Sequence, residues 1–184
     1  MLMPMRQTTS LQSFLEHTGE TRESIWDGIE VAPLRDGPPT LQQTGPTNCT
    51  HTVLGMIALE EDPALRKMGW FDRFLTHGAT TRFARTAASE PDKGTAVRDF
   101  NELLSFYGYD GFRLAAVPIG RRQVDAHDHA VIKVRNHVVL YAGRRQGRTI
   151  VRDPLLGRAL EVTDLWRHVQ DPETGAVGWG VDVV

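Results

Sequence analysis

The chain has 184 residues and a formal net charge of −2, a length that suits one compact domain with a sizeable core. With 40% hydrophobic and 24% charged residues, it has the balance of a globular protein and no basic excess for gripping nucleic acid or an anionic membrane. Its one cysteine excludes an intrachain disulfide and is compatible with a reducing compartment.

Residues 1–40 read as a loosely organised N-terminal extension. Residues 11–17 suit a short helix with Leu11, Phe14 and Leu15 on one face. Three prolines and a glycine make residues 32–40 an extended loop. The N-terminus turns polar after five residues, unlike a secretory leader. No run approaches the ~18 apolar residues of a membrane span. The expectation is a cytoplasmic protein, or one exported by a route that needs no such leader.

The remaining residues, 41–184, read as one domain. A turn-rich stretch, residues 43–48, leads into Cys49. Asn48 is a suitable helix cap, and Val53, Leu54, Met56, Ile57 and Leu59 make the following helix largely buried. Glu60, Glu61, Asp62 and Pro63 end it. The spacing of Leu65, Met68, Phe71, Phe74 and Leu75 predicts a second helix over 64–77. Val97, Phe100, Leu103, Leu104 and Tyr107 predict a third over 94–107, with Gly108 placed to stop it.

The pattern then changes to strands, at 112–117, 130–134 and 137–141. A turn at 143–147 leads to a paired strand at 149–153, and residues 153–157 form a second turn. Residues 163–170 suit a short helix. Residues 177–184 read as a last strand, weakened by Gly178 and Gly180. Helices first and antiparallel strands second predict an α+β fold. The pairs Arg121-Arg122 and Arg144-Arg145 are short and read as solvated loops.

Chemistry concentrates at Cys49. A nucleophilic cysteine must be a thiolate, and a helix N-terminus or an imidazolium lowers its pKa. Cys49 falls in the first turn of its predicted helix. His137 opens the apolar strand His137-Val138-Val139-Leu140-Tyr141. Asp153 follows sixteen residues later across a plausible hairpin, and adjacent strands lie about 4.8 Å apart. A carboxylate there would orient the imidazole and stabilise its charged form. Gln43, six residues before Cys49, offers an amide N–H to join the Cys49 backbone N–H in binding an oxyanion.

These residues together resemble the papain-like superfamily of cysteine hydrolases, in which a Gln lies six residues before the nucleophilic Cys of a central helix. The pattern is most similar to the double-glycine (bacteriocin-processing) peptidase domain. The matching features are Gln43, Cys49, the apolar helix through Val53 and Leu59, His137-Val138-Val139-Leu140, and Asp153-Pro154 with Gly157. This chain has Asn48-Cys49-Thr50 where that family has Asp-Cys-Gly. The resemblance spans roughly residues 41–184. It implies a two-lobed fold, a helical lobe carrying Cys49 and an antiparallel sheet lobe carrying His137 and Asp153.

It also implies a peptidase acting on a protein or peptide, with no cofactor and no metal. Bacterial papain-like effector deamidases are a second relative, in which ammonia leaves from a glutamine side chain. Acyl transfer, and an inactive peptide-binding module, are further alternatives. The oligomeric state is left open by the sequence. His127 and His129, with Asp125 and Asp128 beside them, are too few for the usual metal ligand set and suit a polar strand entry. His51, two residues beyond Cys49, is turned away from the thiol by helix geometry. Trp70, Trp166 and Trp179 read as packing residues.

Overall fold

The computed structural model describes residues 24–43, 49–67, 97–106 and 108–184. The helix expected at 11–17, the distal part of that expected at 64–77, the turn at 44–48, Trp70 and Tyr107 lie outside them. Within the described residues the protein is α+β. Its centre is one seven-stranded antiparallel sheet. The strands are β1 (Val31–Pro33), β2 (Leu114–Gly120), β3 (His129–Val134), β4 (His137–Arg145), β5 (Arg148–Asp153), β6 (Arg158–Val162) and β7 (Ala176–Val183). Their order across the sheet is β1-β6-β5-β4-β3-β7-β2. The α-helices are α1 (Cys49–Glu61), α2 (Phe100–Phe106) and α3 (Leu165–Val169). None of the described helices is long and apolar enough to cross a membrane.

Strand alternation divides the core in two. Val131 on β3 and Val138 and Leu140 on β4 pack with Val53, Leu54, Met56 and Ile57 of α1 and with Phe100, Leu103 and Leu104 of α2 and its lead-in. Ile132, Val134, Val139, Val151 and Leu160 point to the opposite face. There they meet Trp26, Ile29 and the α3 residues Leu165 and Trp166. The two-residue period of a strand requires this division. Helix α1 is buried from Thr50 through Ala58, as expected of a helix apolar on nearly all sides.

Three features differ from the sequence reading. First, β1 and β6 appear where an extended loop and an unassigned stretch stood. β1 pairs with β6 at the sheet edge, Val31 opposite Val162. Residues of the N-terminal stretch are thus strand and core. Second, the turn expected at 143–147 is tighter. β4 continues to Arg145, with a bulge between Tyr141 and Arg144, and the chain reverses at Gln146 and Gly147, both at positive φ, the geometry of a two-residue hairpin. Third, β2 runs on to Gly120 through Pro118. A proline fits because β2 is an edge strand, which needs no donor on its open side.

The glycines that weakened the last strand serve its position. β7 lies between β3 and β2, and a Cβ on Gly178 would stand 1.9 Å from the Val131 carbonyl oxygen. A Cβ on Gly180 would enter the His127 ring. The small residues let neighbours lie directly on the strand.

The C-terminal end of α1 carries Glu60 and Glu61, an unfavourable place for negative charge beside the carbonyl end of the helix dipole. Hydrogen-bond donors from the sheet meet these carboxylates. Arg152 on β5 binds Glu60 and the Pro39 carbonyl. His129 on β3 meets Glu61 at 2.7 Å and Glu60 at 3.5 Å. The helix is therefore fastened to the sheet at its far end, with Cys49 at the other.

Candidate active site

The site lies at the edge of the layer where β4 begins and β5 ends. Val134 pairs with His137, so Arg135 and Asn136 form a two-residue turn and His137 is the first residue after it. Leu140 pairs with Arg152, which sets Val139 opposite Asp153. His137 and Asp153 are then diagonal neighbours on one face, a separation that an imidazole and a carboxylate span. His137 Nε2 donates to Asp153 Oδ1 at 2.7 Å. The imidazole is 4% exposed and the carboxylate 0%, so water does not weaken the bond.

The other side of the imidazole meets Cys49 at the start of α1, where thiol and ring are hydrogen-bonded. Burial is the largest influence on the half-buried thiol and raises its pKa. The hydrogen bond and charge of His137, with the Val138 backbone N–H and the Thr50 side chain, outweigh it and hold the thiol below its ordinary value. For His137, burial pushes the pKa down. The bonds to Asp153 and Cys49 prevail and raise it to about 9. The two shifts are reciprocal: each partner favours the charged form of the other. The arrangement favours a thiolate beside an imidazolium.

Asp153 also caps its own turn. Oδ1 accepts the Leu155 N–H at 2.8 Å, and the Asp153 carbonyl accepts the Gly157 N–H at 2.8 Å. Asp153 can bond the imidazole and close its own turn at once, because a carboxylate has four lone-pair sites. Its second oxygen accepts the Trp26 indole N–H at 2.7 Å. Sequence reading passed over Trp26, which stands in the N-terminal stretch with its partner 127 positions away. No local pattern marks it.

Gln43 is buried, 4% exposed, and its backbone N–H donates to the Pro154 carbonyl at 2.7 Å. It is thereby set beside Asp153. Gly157 permits the approach, since it has a φ of +65° and a Cβ there would lie 2.9 Å from the Gln42 Cβ. Residues 44–48, which join Gln43 to Cys49, lie outside the described residues. The structure thus brings Cys49, His137 and Asp153 into one hydrogen-bonded series and puts the Gln43 backbone against the same turn.

The other candidates are placed elsewhere. His51 is fully buried within α1, and burial lowers its pKa to about 4, so it is a neutral ring at physiological pH. His127 Nδ1 pairs with Asp182 at 2.7 Å, while His129 turns to Glu60 and Glu61. Among the described residues no group of three or more His, Cys, Asp or Glu side chains is arranged to hold a metal. Trp166 is in the core on the α3 face, and Trp179 packs against the α1 face.

Comparison with known proteins returned no matching family model, curated protein or solved structure. The functional reading therefore rests on the geometry.

Proposed function

We propose that the chain is a papain-like cysteine hydrolase that cleaves amide bonds in a protein or peptide. The observation that carries the reading is the series Cys49–His137–Asp153, with the thiol pKa lowered and the imidazole pKa raised. Structural histidines rarely hold a thiol on one side and a buried carboxylate on the other, and perturbed pairs of this kind concentrate at catalytic sites. The position of Cys49 as first residue of a 13-residue helix adds the favourable end of the helix dipole.

The residues then have distinct roles. The Cys49 thiolate attacks the carbonyl carbon. Its backbone N–H and the Gln43 side-chain amide receive the oxyanion. The His137 imidazolium gives its proton to the departing amine, leaving a thioester on Cys49. Neutral His137 takes a proton from water, which attacks the thioester, and the acid product and the thiol are regenerated. Asp153 holds the ring in register throughout. In this reading the α1 and α2 layer and the β4–β5 hairpin correspond to the two lobes of the papain arrangement, with the cleft at their junction.

The reading is tested by incubating the protein with a peptide pool and following masses. The expected result is fragments ending at discrete bonds, lost in Cys49→Ala. Intact chains heavier by about one dalton, the mass change of Gln to Glu, would replace the peptidase with a glutamine deamidase using the same residues. No mass change and no labelling of Cys49 by electrophiles would contradict the hydrolase.

A further inference from the structure

We infer that Trp26 is a positioning residue of the site: its indole N–H fixes the plane of the Asp153 carboxylate, so the N-terminal turn before β1 completes the Cys49–His137–Asp153 series. The inference rests on the proposed hydrolase chemistry and adds a residue to it from outside the domain that sequence reading delimits.

The argument begins with the carboxylate. Three donors converge on it: the His137 ring and the Leu155 N–H on Oδ1, and the Trp26 indole on Oδ2. Donors to Oδ1 alone leave the group free to pivot about that oxygen. A third donor on the opposite oxygen defines its plane and its direction toward Nε2. Asp153 is 0% exposed and Trp26 is 4% exposed, so water is poorly placed to substitute for the indole.

Trp26 is itself held from several sides. Its carbonyl accepts the Ile29 N–H at 2.9 Å, and the Glu30 carbonyl accepts the Thr163 N–H at 2.9 Å. The adjacent β1 pairs with β6. Arg135 donates to the Asp27 carbonyl, and Arg135 belongs to the turn that sets His137. One side chain thus links the turn carrying the histidine to the turn carrying the tryptophan. The ring also packs in the core with Val139, Val151 and Leu165, which fixes the direction of its N–H. A tryptophan placed for packing alone does not require this alignment, although a buried indole N–H does seek an acceptor. The acceptor here is the group that orients the histidine.

The consequence is a chain of dependence. Without the indole, the buried carboxylate turns toward another donor, the Nε2 bond lengthens, and the imidazolium loses stabilisation. The thiol then loses its charged partner.

The experiment is an NMR titration of the His137 ring in the full chain, with alkylation of Cys49 by iodoacetamide measured in parallel. In Trp26→Phe, which keeps an aromatic ring and removes the donor, the His137 pKa is expected to fall from about 9 toward the free imidazole value of about 6.5. Alkylation at pH 6 should slow by roughly ten- to a hundredfold, the scale of one hydrogen bond to a charged group. Trp166→Phe, in the same core cluster, should lower Tm without moving the titration. In an Asp153→Asn background, Trp26→Phe should have no further effect on His137.

An unchanged His137 titration in a folded Trp26→Phe protein would overturn the positioning role and leave packing. If Trp26→Phe does not fold, the wild-type indole proton is followed instead. It should shift with the midpoint of His137, and insensitivity would overturn the inference. An ordinary thiol in the wild type, together with a His137 titration that still depends on Trp26, would count against the hydrolase and leave the positioning role standing.

Discussion

Among the described residues are two histidine–aspartate pairs of the same length, His137–Asp153 and His127–Asp182, both at 2.7 Å. They differ in everything around that bond. Asp153 is enclosed and takes two further donors, and its histidine has a thiol on the other side. Asp182 has a side chain 38% exposed. Its pKa is lowered first by the His127 bond and then by the Asp128 backbone N–H, and the His127 ring lies over Gly180. Asp128 in turn accepts the Val183 N–H. This second pair clasps the β3 entry to β7. The contrast teaches that a His–Asp bond is not a site. Burial and a reactive third partner make the first pair a candidate for chemistry, and local backbone bonds make the second a fastening.

The comparison is broken most sharply by removing each histidine. His137→Ala is expected to slow amide hydrolysis about 10²- to 10⁴-fold, the range for a lost general acid–base. His127→Ala should leave kcat/KM unchanged, and equal losses in the two variants would erase the distinction. The pH profile sharpens it further. Because the thiolate is the nucleophile and its pKa is lowered, the acid limb should lie below the ordinary thiol value of ~8.5. Because the leaving amine takes its proton from His137, the rate should fall as pH rises through about 9. In Asp153→Asn the ring loses its anionic partner, so this alkaline limb should move down in pH. A limb that stays in place would show that Asp153 does not support the imidazolium.

On the fastening side, Gly180→Ala drives a methyl into the His127 ring and should cost about 1–3 kcal/mol, the scale of overpacking. Thermal or denaturant unfolding measures it, and Cys49 alkylation should be unaltered. Asp182→Ala should have the smallest effect, about 1 kcal/mol, because both partners reach water. A change in thiol reactivity in either variant would join the two regions that the structure separates.

Much of this was legible from local pattern. The apolar runs of β3, β4 and β5 marked three strands within a few residues, and the sixteen-residue step from His137 to Asp153 matched one hairpin. The α1 helix was recognisable from its apolar content. β6 was missed because Arg158-Ala-Leu-Glu-Val is short and puts adjacent apolar residues at Ala159 and Leu160, without clean alternation. β1 was missed because three residues ending in Pro33 carry no strand signal of their own; its pairing with β6 defines it. Trp26 was invisible for the same physical reason. Its role depends on a partner brought close by the whole sheet, and no spacing within the N-terminal stretch encodes that meeting.

The central claim is an activated thiol, and alkylation of Cys49 by iodoacetamide against pH tests it most directly, since the chain has no other cysteine. The account predicts fast alkylation that persists well below the free-thiol pKa of ~8.5 and is lost in His137→Ala. Slow alkylation that follows an ordinary thiol titration in both proteins would contradict it.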